Sequence, residues 1–251
     1  MTTAGGAVLR AEGLGKTFGG FRALSNVSAE FRAGLLTSII GPNGAGKSTF
    51  FNLLTGAFPP SEGRILFGGR DITGLPQHRF ARLGIAKSFQ ITAVFPRLGV
   101  QENVRVAAQA LVSRLDFWSR RSRLRGLEER SAALLARVGL SHRARRAAGE
   151  LAHGEQRALE VAMALAADPA LLLLDEPTAG MSPEETRGFM DLARALAGER
   201  TVVLVEHKMK LVMGVSDRVL VLHHGELLAE GTPAEIRADE RVRRVYLGQR
   251  A

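Results

Sequence analysis

Between Gly41 and Thr49 the chain reads GPNGAGKST, which matches G-x-x-x-x-G-K-[ST]. A short apolar run, Leu35 to Ile40, leads into it, and the helical pattern STFFNLLTG follows. Glycines at 41, 44 and 46 free the backbone to turn its N–H groups inward around phosphate oxygens. The start of the following helix adds partial positive charge. In that arrangement Lys47 reaches the β- and γ-phosphates, and the Ser48 hydroxyl is placed to coordinate Mg²⁺. Alone, the loop establishes only that a nucleoside triphosphate binds.

The run LLLLDE, Leu171 to Glu176, supplies what the loop lacks. A buried strand carries Asp175 to its C-terminal end, where ligands bind in open α/β sheets. Asp175 is then placed to hold Mg²⁺, and Glu176 to orient and deprotonate an attacking water. His207 follows the strand-like TVVLV and Glu206, a position from which it would contact the γ-phosphate. A lone histidine is more often structural, so its role needs context.

These residues require a sheet to align them, and the patterning predicts one. Val8–Phe18, Ala23–Phe31, Leu35–Ile40, Arg64–Phe67, Ile85–Phe89, Ala170–Leu174 and Thr201–Val205 read as strands. Arg218–Leu222 and Glu226–Ala229 read as a hairpin around His224 and Gly225. The helix after Lys47 is expected to stop at Gly56. A helical period dominates from Val100 to about Ala167, and further helices are expected from Pro183 and near Ala234 and Val242. Apolar strands alternating with helices imply an α/β core with a largely parallel sheet. The early strands suggest an antiparallel β portion, and the middle region an inserted helical subdomain. The expected division is one domain over 1–251, with 1–90 and 168–251 forming the core and β portion and 91–167 the helical subdomain.

The chain has 251 residues, no cysteine and a net charge of +9. No apolar run reaches the roughly 18–20 residues that cross a bilayer, and the start of the chain lacks the pattern of a secretory signal. From Arg114 to Arg146 there are ten arginines against three acidic residues, a segment able to attract nucleic acid, anionic lipid or an acidic protein surface. Phe117 and Trp118 stand alone in it, without the aromatic series that stacks on bases, so nucleic acid is not an expected partner.

Taken together the motifs resemble the ABC transporter ATPases over essentially the whole chain. GPNGAGKST resembles the Walker A loop, and LLLLDEPTAG the Walker B strand with its D-loop. LAHGEQR, Leu151 to Arg157, stands at the place of the LSGGQ signature, 24 residues before Asp175. Gln90 in KSFQ resembles the Q-loop glutamine, His207 the switch histidine, and Phe18 the aromatic that stacks on adenine. Longer stretches, IGPNGAGKSTFFNLLTGAFPPSEG, FPRLGVQENV and VEHKMKLVMGVSDRVLVLHHGELLAEGTPAEI, are similar to the LivG-type branch that serves branched-chain amino acid importers, with amide and urea importers as related alternatives.

The resemblance implies a P-loop NTPase (RecA-like) core with an antiparallel β subdomain and an inserted α-helical subdomain. It implies ATP and Mg²⁺, with Gly41, Asn43, Gly44, Gly46, Lys47, Ser48, Thr49 and Phe18 on the nucleotide. Ser48, Asp175 and Gln90 are implied at the metal, and Glu176, His207 and Gln90 in catalysis. Ala152, His153, Gly154 and Glu155, on a helix beginning near Glu155, would face the nucleotide of a second ATPase subunit packed head to tail, either a sister subunit or a second copy of this chain. Membrane permease subunits and, indirectly, a periplasmic binding protein are the other implied partners, and the implied location is the cytoplasmic face of the inner membrane. Two departures stand out. Ala152, His153 and Glu155 replace Ser, Gly and Gln of the general signature, and Ser182 replaces the D-loop aspartate.

Overall fold

The computed structural model describes residues 6–88, 94–109 and 120–247. Among them the strands form two sheets. Strands β1 (Ala7–Phe18), β2 (Phe21–Arg32), β4 (Glu62–Phe67) and β5 (Arg70–Asp71) make an antiparallel sheet in the order β2-β1-β4-β5. The second sheet is β10-β9-β3-β8-β7-β6, built from β3 (Leu36–Ile40), β6 (Ile85–Lys87), β7 (Leu171–Asp175), β8 (Thr201–Val205), β9 (Arg218–His223) and β10 (Glu226–Gly231). All its pairings are parallel except β9 with β10.

Both faces of this second sheet are covered, which is why its strands read as continuous apolar runs rather than alternating ones. The period of two persists underneath. Leu171, Leu173, Val203 and Val205 join one core cluster with Phe31, Phe50 and Phe51, while Leu172, Leu174, Val202 and Leu204 join the other. Each leucine fully removed from water contributes roughly 1.5–3 kcal/mol. The alternation also fixes the chemistry at the strand end. Asp175 continues the Leu171–Leu173 face, toward the helix that follows the phosphate loop.

That helix, α1, runs Lys47–Leu54, and Gly56 beyond it adopts φ 66°, the left-handed stop the sequence predicts. A short α2 (Phe80–Leu83) precedes β6. Helices α3 (Val100–Gln109), α4 (Arg120–Arg137) and α5 (His153–Leu165) fill the interval between β6 and β7. Helix α6 (Pro183–Ala197) begins at a reciprocal cap, since Ser182 Oγ accepts from Glu185 N–H and Glu185 accepts from Ser182 N–H. Helices α7 (Met209–Val215), α8 (Pro233–Ala238) and α9 (Glu240–Leu247) pack a third cluster around Val212, Ile236 and Val242.

Several expectations shift. The strand expected over Ile85–Phe89 is described only to Lys87, because Phe89 and Gln90 lie outside the described residues. Strand β4 starts at Glu62, two residues before the apolar pattern, since backbone pairing with β1 extends through Gly15 and Glu62. Helix α5 starts at His153, two residues ahead of Glu155, because Glu155 takes the third helical position and reaches back to the Ala152 N–H at 3.1 Å. No described helix is long and apolar enough to cross a membrane.

Candidate nucleotide site

The sheet register brings the predicted residues to one edge. Ile39 pairs with Val205, and Val205 with Asp175, so β3, β8 and β7 end at the same level. The phosphate loop leaves β3 at Gly41, where a Cβ would sit 2.3 Å from the Leu222 carbonyl oxygen, so only glycine fits against β9. Gly46, at φ 96°, forms the N-cap of α1 with no side-chain cap. The first turn of α1 also contains no acidic residue. Its leading N–H groups are therefore arranged for an anion. A Cβ at Gly44 would meet nothing within 4 Å, so that glycine serves the backbone conformation (φ 78°) and not internal packing.

Lys47 is only 6% exposed, and its Nζ donates to the carbonyls of Gly41 at 2.8 Å and Pro42 at 3.0 Å. The ammonium is thus folded over the mouth of its own loop. Burial holds its pKa below the ordinary lysine value, and the nearby Glu176 and Asp175 oppose that shift. Asp175 shows the converse. Burial pushes its carboxyl up, the Glu176 charge adds to the push, and Lys87, Lys47 and Arg157 pull it back. Two adjacent carboxylates at a buried strand end form the kind of site that a cation relieves.

Glu176 adopts φ 41°, an uncommon conformation for a residue with a side chain, and its N–H is held by the Val205 carbonyl at 2.9 Å. This brings its Oε2 to 3.7 Å from His207 Nδ1. Behind the pair lies Glu206, fully buried. Its carboxylate accepts from the Thr178 hydroxyl, from Thr178 N–H at 3.3 Å and from His207 N–H at 3.2 Å. Burying a carboxylate costs several kcal/mol unless donors surround it, and these three supply them. Lys208 Nζ closes the cluster by donating to the Thr178 carbonyl at 3.3 Å. Neither Glu206 nor Thr178 was evident from the motifs. The only signal was an acidic residue preceding His207 at the end of an apolar strand.

At the end of β1, Phe18 is 44% exposed and packs edge-on against Phe58, with ring centroids 5.4 Å apart. Lys16 Nζ lies 5.1 Å from both rings and donates to the Pro59 carbonyl at 2.7 Å. The pair makes a braced aromatic ledge suited to stacking on a flat base. Phe58 also went unrecognised in the sequence, since it follows α1 in a loop with no periodic signal.

The signature residues lie elsewhere. Ala152 caps α5 without a side-chain acceptor, and Glu155 is engaged by Arg143 Nε at 2.8 Å. Burial pushes Glu155 up, but the Arg143 contact and the Ala152 N–H outweigh it and hold the carboxyl below its usual range. Gly154 N–H donates to Glu185 Oε1 at 3.0 Å. The contacts of these residues therefore run to α6 and to the segment after α4, while Lys47, Asp175, Glu176 and His207 converge at the sheet edge. Gln90, the remaining expected site residue, lies outside the described residues. Part of the basic segment is used internally: Arg143 holds Glu155, Arg137 pairs with Glu199, and Arg130 donates to the Ala166 carbonyl at 3.0 Å.

Comparison with known proteins gives this geometry its context. Residues 24–179 match the ABC transporter family model, and residues 226–251 match that of the branched-chain amino acid ATP-binding cassette transporter. The chain is 43% identical to the high-affinity branched-chain amino acid transport ATP-binding protein LivG of Salmonella typhimurium, over 96% of this chain and 98% of that one. It is 40% identical to the corresponding protein BraF of Pseudomonas aeruginosa, again over 96% and 98%. Among solved structures, an ATP-binding cassette of an ABC transporter in its ADP conformation superposes with a TM-score of 0.85 at 31% identity, covering 96% of this chain and 99% of that one. A family match over residues 24–179, with identity to transport ATP-binding proteins sustained over nearly the whole length and the same fold in a solved cassette, establishes that the chain belongs to the ABC transporter family as one of its ATP-hydrolysing cassettes.

Proposed function

We propose that this chain is the ATPase subunit that drives an importer of branched-chain amino acids. The observation that carries the reading is the match of both the body and the C-terminal tail to proteins of that transport class. Within the chain, the Walker-loop residues Gly41, Asn43, Gly44, Gly46, Lys47, Ser48 and Thr49 receive the phosphates, and Phe18, braced by Phe58, receives the adenine. Lys47 exchanges its loop carbonyls for β- and γ-phosphate oxygens. Ser48 at the start of α1 and Asp175 at the end of β7 would hold Mg²⁺, which supplies charge against the phosphates; the raised Asp175 carboxyl beside Glu176 fits a cation site. Gln90 is assigned to the same metal and to the attacking water by resemblance.

Glu176 then takes the proton of the water whose oxygen attacks the γ-phosphorus, as the bond to the leaving ADP oxygen breaks. His207, 3.7 Å from Glu176, orients that carboxylate and senses the γ-phosphate. Ala152, His153, Gly154 and Glu155 serve a second ATPase subunit, because their contacts lie away from this chain's own Walker residues. The backbone N–H groups of the first turn, that of Gly154 once it leaves Glu185, would provide the donors that a serine would otherwise supplement.

The helical segment 91–167 is proposed as the subdomain that grips the permease. A cavity of about 500 Å³ between α2, β6, α3 and α5, lined by Phe80, Ile85, Ala107, Met163 and Ala164, supports this, since an apolar cleft at that junction suits an inserted helix. The test is reconstitution with the permease pair, the sister ATPase and the binding protein in proteoliposomes. ATP-dependent uptake of labelled leucine that disappears with Glu176→Gln is the expected result. Uptake of urea or a short amide, but not leucine, would reassign the substrate.

A further inference from the structure

The loop between β7 and α6 is fastened at both ends by carboxylates that the catalytic reading does not use. At its start, Thr178 is held by buried Glu206, whose other partner is the N–H of His207. At its end, Glu185 accepts from Ser182 N–H at 2.9 Å with one oxygen and from Gly154 N–H at 3.0 Å with the other. One side chain thereby caps its own helix, α6, and also occupies the first turn of α5. Two helix N-termini converge on a single negative charge, which both dipoles favour. The two N–H donors, Ser182 first and Gly154 second, hold the Glu185 carboxyl below its ordinary range. The approach is close: a Cβ at Gly154 would come within 2.8 Å of Glu185 Oε1 and 3.0 Å of its Cβ. Ser182, in place of the usual aspartate, is therefore a helix cap within a longer hydrogen-bonded connection.

We propose that Glu185 is a positioning residue that ties the signature turn of α5 to the loop after Glu176, so that nucleotide in this chain's own Walker site changes the signature it presents to a partner subunit. The connection runs from Glu176 and His207 to Glu206 and Thr178, continues through the Thr178 carbonyl, which accepts from Met181 N–H at 3.3 Å, and passes along the chain to Ser182, Glu185 and Gly154. It rests on the ATP-site assignment made above. The expected coupling is within one chain, before any partner binds, because every contact in the series is internal. Energetic coupling is carried by such contiguous hydrogen-bonded and packed networks.

Hydrogen exchange on the full-length chain with Glu176 intact, at a concentration where it is monomeric and with and without a non-hydrolysable MgATP analogue (MgATP below), measures it, comparing Glu185 intact, Glu185→Ala and Glu185→Gln. With Glu185 intact, MgATP protects residues 41–49 and also shifts exchange at 152–156. In Glu185→Ala the first response remains, with ATP affinity within about twofold, as for well-separated sites, and the second is lost. Glu185→Gln, whose single amide oxygen still accepts one N–H, retains part of it. A merely structural cap would speed exchange at 152–156 equally with and without ATP, leaving the ATP-dependent difference intact; that outcome overturns the proposal. So does protection of 41–49 with no change at 152–156 when Glu185 is intact. Failure of MgATP to protect 41–49 in any form would instead overturn the ATP-site assignment.

Discussion

The Walker loop and the signature loop each open a helix, and the two N-termini are furnished in opposite ways. The start of α1 has a glycine cap in the left-handed conformation, no acidic residue in its first turn, and a lysine folded over it. The start of α5 has alanine at the cap and two carboxylates on its leading N–H groups, Glu155 on Ala152 and Glu185 on Gly154. One end is kept clear of protein anions and surrounded by the groups a triphosphate needs. The other is stabilised by anions of the chain itself. On the proposed function the first is a half-site in the isolated chain, whereas the second would become a binding surface when a partner's nucleotide competes with Glu185 for the same donors. Loss of the signature serine thus coincides with other carboxylates taking over the helix cap.

Substitutions on the two sides should separate them. Glu176→Gln has the largest expected effect, lowering steady-state hydrolysis by roughly 10²–10⁴-fold, as loss of a general base does, while equilibrium ATP binding persists; retained turnover would remove Glu176 from that role. Lys47→Ala should weaken MgATP binding by roughly 10- to 100-fold, the equivalent of about 1.5–3 kcal/mol for a charged hydrogen bond, as read by calorimetric titration. Asp175→Asn should inactivate the enzyme yet stabilise the nucleotide-free fold. Burial, with Glu176, raises the Asp175 carboxyl above its ordinary value, so the folded state holds its proton to higher pH than the unfolded one. Stability is therefore lost as pH rises through the folded-state value. The asparagine variant should melt about 2–4 °C higher at neutral pH, a gain of about 1 kcal/mol, and the difference should vanish in acid, where both states are protonated. A lower melting temperature at neutral pH would contradict the assignment. Ala152→Ser has the smallest expected effect, about 0.5–1 kcal/mol of added stability from a restored cap, with MgATP affinity within about twofold; a larger loss of affinity would place Ala152 on this chain's own nucleotide.

What the sequence revealed follows the same division. The Walker side is written in contiguous segments, GPNGAGKST and LLLLDE, whose order on a strand and helix dictates where Lys47 and Asp175 meet. The alternating faces of β7 and β8 could be placed once both faces of the sheet were known to be covered. The signature side, and the support behind Glu176 and His207, depend on residues distant in sequence. Gly154 and Glu185 are 31 positions apart, and Thr178 and Glu206 are 28 apart, so no local period joins them. One local clue was available, because Ser182-Pro-Glu-Glu185 has the S-x-x-E spacing of a capping box. It accounts for the start of α6 but not for the second oxygen of Glu185 on α5. The two-residue β5 and the short α2 and α7 escaped for a simpler reason, since elements of this length are defined by their neighbours rather than by their own composition.

Equilibrium titration of MgATP onto the isolated full-length chain tests the central contrast most directly. One nucleotide is expected per chain without any partner, its binding sharply weakened by Lys47→Ala and unchanged within about twofold by Ala152→Ser or Glu185→Ala. Binding that appears only when a second ATPase subunit is added, or that falls equally when either end is altered, would contradict it.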